Sequence, residues 1–257
     1  MLTPVPIPAL SDNYIWILRQ ADSRSVVVVD PGEAAPVVAA LDHADLHPCA
    51  IFITHHHGDH VAGLKDLCGL HPGIPVHGPA DEPVDGVTHA VREGDRVRID
   101  ELDTEFEILD TPGHTSGHIS FVGGGIVACG DTLFAGGCGR VFEGTPEQMH
   151  ESLQKLANLP EDTLGCCGHE YTVANLTFAE AAEPGNRAVH ERLERARSAR
   201  ASEVPTVPFR IGEELQTNPF LRCDEPEIRA AAAKRAGREL SSASEVFAVL
   251  REWKNNF

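Results

Sequence analysis

The run Thr54-His55-His56-His57-Gly58-Asp59-His60 constrains this chain more than any other stretch. It follows directly on Ala50–Thr54, which is apolar enough to read as a buried strand. Alternate residues of an extended turn point to one side, so His55 and His57 can share one cation. Asp59 and His60 then face a neighbouring position. Imidazole and carboxylate are the usual ligands of zinc and similar metals. Gly58 allows the backbone to turn sharply between the two pairs. His56 breaks the alternation and is expected to point away. The alternative is a solvated histidine-rich loop, and the decision rests on whether distant segments supply partners.

Three segments supply them. His114 stands in Thr111-Pro112-Gly113-His114-Thr115, after a predicted strand ending at Asp110. Asp131 stands in Cys129-Gly130-Asp131-Thr132, and His169 in Gly168-His169-Glu170, each again after a predicted strand. Loop ligands held by a rigid sheet are a common way to build a metal site. With the histidine run they make seven candidate ligands for two metals. His118 is read as an orienting or capping residue. His43, His47, His71, His77, His89, His150 and His190 lack a partner pattern and read as surface or packing residues.

The surrounding pattern fits a β-rich α/β scaffold. Strands are predicted at residues 13–18, 25–30, 75–77, 96–99, 105–110, 119–122, 126–129 and 164–168, with a short helix at 34–41. Thr145-Pro146-Glu147-Gln148 marks a helix start: an N-cap Thr, Pro at the first helical position and Gln three after the cap. After Tyr171 the texture changes to helical spacing rich in Ala, Glu and Arg, at 173–182, 187–201, 225–236 and 244–254. A looser stretch covers 202–219. Two domains are therefore expected: residues 1–170 catalytic and residues 171–257 all-helical. The chain has 257 residues and a net charge of −18, which argues against nucleic acid as a partner. Residues 1–170 carry 8 Lys+Arg and 26 Asp+Glu, whereas residues 171–257 carry 13 of each. Bound divalent cations would offset part of that excess. The seven cysteines show neither a disulfide frame nor a zinc clip. No apolar run reaches the roughly 18–20 residues of a membrane span. The first residues show no basic region followed by an apolar stretch. No membrane association, a cytoplasmic location and a monomer are the expectations.

The order and approximate spacing of His-x-His-x-Asp-His, His114, Asp131 and His169 resemble the metallo-β-lactamase superfamily. A narrower resemblance spans the whole chain. Gly130–Phe134, Gly136–Arg140, Gly144-Thr145, Gly168–Thr172, Asn218-Pro219-Phe220 and the ending Arg251–Phe257 are similar to glyoxalase II, the hydroxyacylglutathione hydrolases. The resemblance implies an α/β fold: a four-layer αβ/βα metallo-β-lactamase sandwich with a C-terminal all-helical domain. It implies one metal on His55, His57 and His114, a second on Asp59, His60 and His169, and Asp131 bridging both. Zinc is the first expectation, with iron and manganese also accepted by such ligands. Family contacts to glutathione fall on Arg140, Tyr171, Arg251 and Lys254. Phe142 departs from the pattern, standing where many relatives have Tyr.

The implied reaction is hydrolysis of S-D-lactoylglutathione and related 2-hydroxyacyl thioesters to glutathione and a 2-hydroxy acid such as D-lactate. This is the second step of methylglyoxal detoxification. Two cations sharing a water would lower its pKa from about 15.7 towards neutral. A thiol of pKa about 8.5 leaves as thiolate without prior protonation, which suits a site with no obvious acid beyond Asp59. Asp59 and Asp131 are the catalytic candidates. Arg251 and Lys254, three apart, fall on one helix face and can bind a carboxylate of the anionic glutathione. The rivals are a persulfide dioxygenase-like enzyme with one iron and an inactive metal-stabilised binding protein. The complete second ligand set and the tail disfavour the first. A structural site normally closes four ligands on one ion, which disfavours the second.

Overall fold

Three prolines at alternate positions, Pro4, Pro6 and Pro8, lie within a strand, Thr3–Ala9 (β1). The computed structural model, which describes residues 1–257, shows why they are tolerated. β1 is the edge of a six-stranded sheet and pairs only with Asn13–Arg19 (β2). Alternate residues aim their N–H groups to one side, so the three missing donors fall where no neighbour needs them. The sheet continues through Ser25–Val29 (β3), His47–Phe52 (β4), Val76–Pro79 (β5) and His89–Val91 (β6). β1 to β3 are antiparallel, and β3 to β6 are parallel.

A second six-stranded sheet holds Arg96–Ile99 (β7), Thr104–Asp110 (β8), Ile119–Gly123 (β9) and Ile126–Gly130 (β10) as an antiparallel meander. A small hairpin, Leu133–Phe134 (β11) with Gly137–Cys138 (β12), follows β10. Leu164–Cys167 (β13) then pairs parallel to β10, and Phe209–Arg210 (β14) closes that edge.

Side-chain alternation separates the layers. Tyr14, Trp16, Leu18, Val27, Val29, Ala50 and Phe52 enter the main core with Phe106, Ile108 and Phe121 of the second sheet. Ile15, Ile17, Val26, Val28 and Ile51 point the other way, beneath Val37 and Leu41 of Ala34–Ala44 (α1). A short turn of helix, Gly58–Val61 (α2), is followed by Leu64–Leu70 (α3), whose Leu64 and Leu67 join that outer layer. Pro146–Ala157 (α4) starts with the expected capping box of Thr145 and Gln148 and covers the second sheet. The result is the four-layer αβ/βα arrangement.

Five helices complete the chain: Thr172–Ala182 (α5), Arg187–Ala201 (α6), Ile211–Thr217 (α7), Pro226–Ala236 (α8) and Ala243–Asn255 (α9). α7 and β14 lie inside the stretch that reads as loose in sequence. Phe178, Phe220, Phe247 and Leu250 extend the main core into this helical region. All seven cysteines are free thiols, five of them buried. No helix is long and apolar enough to cross a membrane.

Candidate metal centre

The loops that carry the seven candidate ligands meet at one edge of the sandwich. β4 leads into His55–His60, β8 precedes His114, β10 ends just before Asp131 and β13 ends two residues before His169. Ile119 N donates to Thr54 O at 3.0 Å and ties the two sheets together there. Gly58, expected to be the critical glycine, has no positive φ and open space around it. The spatial demand falls elsewhere. A Cβ at Gly32 would collide with the backbone carbonyl of Asp59, and one at Gly168 would enter the space of Asp131 and His60.

Two triads form. His57 Nδ1 lies 3.1 Å from His55 Nε2 and 3.0 Å from His114 Nε2. These separations are near the edge of a tetrahedron around an ion with metal–nitrogen bonds of about 2.0–2.1 Å. Asp59 Oδ2 lies 3.4 Å from His169 Nε2 and 3.7 Å from His60 Nε2. Asp131 stands between the triads: its Oδ2 is 3.3 Å from both His114 Nε2 and His169 Nε2, and its Oδ1 is 3.4 Å from His60 Nε2. His55, His60, His114, Asp131 and His169 are buried, and His57 and Asp59 are partly exposed.

The outer hydrogen bonds fix which nitrogen faces inward. Thr54 Oγ1 donates to Asp30 Oδ2 at 2.7 Å, so it accepts from His55 Nδ1 at 3.0 Å. His60 Nδ1 donates to the same Asp30 oxygen at 3.1 Å. His114 Nδ1 donates to Arg140 O at 2.9 Å, and His169 Nδ1 to Asp12 Oδ1 at 2.8 Å. Each of these four rings therefore turns an Nε2 lone pair into the cluster. His60 Nε2 and Asp131 Oδ1 are buried and have no hydrogen-bond partner. Converging lone pairs of this kind repel one another unless a positive charge lies between them, so the donor set fits divalent cations.

The electrostatics agree. Burial alone would depress His60, but Asp131 and Asp30 outweigh it and hold its pKa well above the usual value. Burial likewise opposes the charged forms of His169 and Asp131. Contact with Asp131 wins at His169 and raises it, and His60, followed by His169, holds Asp131 well below the carboxylate range. His55 is pushed down by burial and then by His60 and His118.

His56 points outward, as expected, with Nδ1 3.1 Å from Glu82 and Nε2 3.3 Å from Glu143. His118 Nε2 accepts from Asp131 N at 3.1 Å and orients that residue. Asp12, Asn13, Asp30 and Glu82 support the loops without any sequence signal. Asn13 Nδ2 donates to Asp59 Oδ2 at 2.9 Å, and the buried Glu82 accepts from His56 N and Gly117 N.

The substrate-contact candidates lie along one seam. Arg140 is exposed, its Nε 3.3 Å from Asn255 Oδ1, and its carbonyl receives His114. Arg251 is only 8% exposed, donates to Cys138 O at 2.8 Å and leaves its Nε unpartnered. Lys254 Nζ donates to Ala174 O at 3.1 Å and sits over the Phe178 ring. Burial and then Arg251 lower its pKa. Tyr171 stacks on His169 with ring centroids 4.8 Å apart. Phe142 is exposed at the lip, in edge contact with His57 and His114.

The fold and site define a member of the metallo-beta-lactamase superfamily, whose model matches residues 10–169. A second family model, the hydroxyacylglutathione hydrolase C-terminus, matches residues 170–257. Within the superfamily the chain belongs to the hydroxyacylglutathione hydrolase family. It is 52% identical to the hydroxyacylglutathione hydrolase of Xanthomonas euvesicatoria pv. vesicatoria, over 98% of each chain. It is also 52% identical to that of Halorhodospira halophila, over 99% of each. Among solved structures, ETHE1 from Myxococcus xanthus shares the fold at a TM-score of 0.66 and 24% identity, covering 98% of this chain and 91% of that one. TTHA1623, solved in a di-iron-bound form, covers 65% of this chain and 91% of its own at 27% identity and a TM-score of 0.53.

Proposed function

We propose that this chain hydrolyses the thioester of S-2-hydroxyacylglutathiones, S-D-lactoylglutathione first among them, to glutathione and a 2-hydroxy acid. The observation that carries the reading is the pair of orphaned buried atoms, His60 Nε2 and Asp131 Oδ1, inside a seven-donor cluster. The end-to-end similarity to hydroxyacylglutathione hydrolases supports the choice of substrate. In this reading His55, His57 and His114 hold one divalent ion and Asp59, His60 and His169 hold another, with Asp131 shared. Zinc is the first candidate, and iron and manganese suit the same ligands. Bound divalent ions supply a water-derived nucleophile near neutral pH and polarise an acyl carbonyl.

The protein's own groups do the rest. Asp131 fixes the spacing of the two triads. The carboxylate of Asp59, partly exposed and steadied by Asn13, faces the reacting centre and receives the proton of the attacking water. The leaving thiolate needs no acid, because a thiol of pKa about 8.5 departs as the anion. Arg140, Tyr171, Arg251 and Lys254 orient glutathione. The exposed side chain of Arg140, whose backbone carbonyl holds His114, and the stacking of Tyr171 on His169 support that role. The persulfide dioxygenase alternative is disfavoured by the complete second triad, since it needs one ion only.

The test is loss of thioester absorbance with S-D-lactoylglutathione, before and after chelation. Turnover that chelator abolishes and added metal restores is expected. No turnover by the metal-loaded protein would overturn the assignment.

A further inference from the structure

The turn between β1 and β2, taken with the first residues of β2, bears on the centre although it lies far from it in sequence. Its backbone is fastened to the loop of His169. Tyr14 N donates to Gly168 O at 2.7 Å, Glu170 N donates to Asp12 O at 2.9 Å, and Asn13 bridges to His169 as in a short antiparallel pair. Its side chains then reach two members of the same triad. Asp12 Oδ1 accepts from His169 Nδ1 at 2.8 Å, and Asn13 Nδ2 donates to Asp59 Oδ2 at 2.9 Å. His55, His57 and His114 receive nothing from this turn: His55 is held by Thr54 and His114 by a backbone carbonyl.

We propose that Asp12 and Asn13 are positioning residues for the second metal position alone. The proposal rests on the two-metal reading above. Asp12 selects the His169 tautomer that presents Nε2 to the cluster and fixes the plane of the ring. Asn13 fixes the Asp59 carboxylate while leaving a lone pair of Oδ2 for an ion. An anionic partner also makes an imidazole a stronger donor. The turn thus controls one ion without touching the other.

The experiment compares zinc binding by the full-length parent, Asp12→Ala, Asp12→Asn and His169→Ala, titrated from the metal-free state against a competing chromophoric chelator. Asp12 is 40% exposed at its side chain but His169 only 7%, so the metal-free unfolding temperature of each variant is measured beside its binding curve to separate loss of fold from loss of an ion. In Asp12→Ala the second equivalent should bind roughly 10–100-fold more weakly, with the first equivalent unchanged. Asp12→Asn keeps an acceptor for Nδ1–H and should recover most of that affinity. Asn13→Ala should repeat the loss at the second equivalent only. Parent-like binding of both equivalents by Asp12→Ala would overturn the proposal. So would equal weakening of both, or an Asp12→Asn loss as large as that of Asp12→Ala. His169→Ala keeps the two readings apart: if it too binds two equivalents like the parent, the ligand assignment has failed; if it loses one while Asp12→Ala loses none, only the role of the turn has failed.

Discussion

The two halves of the chain treat buried polar groups in opposite ways. Around the centre, imidazoles and carboxylates are packed so that lone pairs face one another and two buried atoms make no hydrogen bond. In the helical half, buried charges close on each other. Arg192 pairs with the fully buried Glu214, and Arg222 meets Glu183 through two nitrogens, at 2.9 and 2.7 Å. Glu214 also accepts from Gly136 N at 2.8 Å and Asn218 Nδ2 at 2.9 Å, and Asn218 holds Gly137 O at 2.9 Å. That network grips the β11–β12 hairpin just after Asp131. Open polar networks wait for a ligand, whereas closed ones hold shape. The exception in the helical half is Arg251 Nε, on the seam proposed to bind glutathione.

Breaking a closed network should have the largest effect on stability. Glu214→Ala removes the buried partner of Arg192, which keeps only the partly exposed Glu213 at 3.2 Å and Thr217, and should cost about 3–5 kcal/mol, measured by denaturant unfolding of the metal-free protein. A cost of a few tenths would show that this pair does not hold the halves together. The exception is sharpened by replacing Arg251 and Lys254 with Ala. KM for the thioester should rise roughly tenfold or more, as for loss of charge-assisted hydrogen bonds, with kcat near the parent's. A collapse of kcat at unchanged KM would contradict the role of the seam. The smallest effect belongs to an exposed closed cluster. Hydrogen bonds from the Ser241 hydroxyl and backbone N–H hold the Glu245 carboxyl down at about 2 against its ordinary 4.5. A depressed folded pKa stabilises above the unfolded value and is lost as pH falls through the folded one. The difference in unfolding midpoint between the parent and Glu245→Gln should therefore be present at neutral pH and vanish between about 4.5 and 2. A difference that persisted below pH 2 would implicate packing instead.

What was legible in the sequence follows from the range of the interactions. The seven donors announce themselves because they lie in glycine-containing loops that follow strands, a local pattern. Their supports do not. Asp12 reaches His169 across 157 residues and Asp30 reaches His60 across 30, and neither has a neighbour that hints at the partner. Asp30 reads only as the end of the strand predicted at 25–30, yet its carboxylate orients His60 directly and His55 through Thr54, and Gly32 makes room for Asp59. The same limit applies to the fold. Periodicity marks Arg96–Ile99 and Arg187–Ala201 with the bounds observed. It misses β1, where proline hides an edge strand, and α7, whose place is set by the Glu214 network. Arg251 and Lys254 lie on one helix face as their spacing predicts, but packing turns that face inward rather than leaving a solvated basic end.

We propose that thioester hydrolysis at this centre needs two ions, not one. Metal-free protein titrated with zinc while S-D-lactoylglutathione turnover is followed tests it directly. Activity should climb to a plateau at two equivalents per chain and reach only a minor fraction at one. A full plateau at one equivalent would overturn the two-ion requirement.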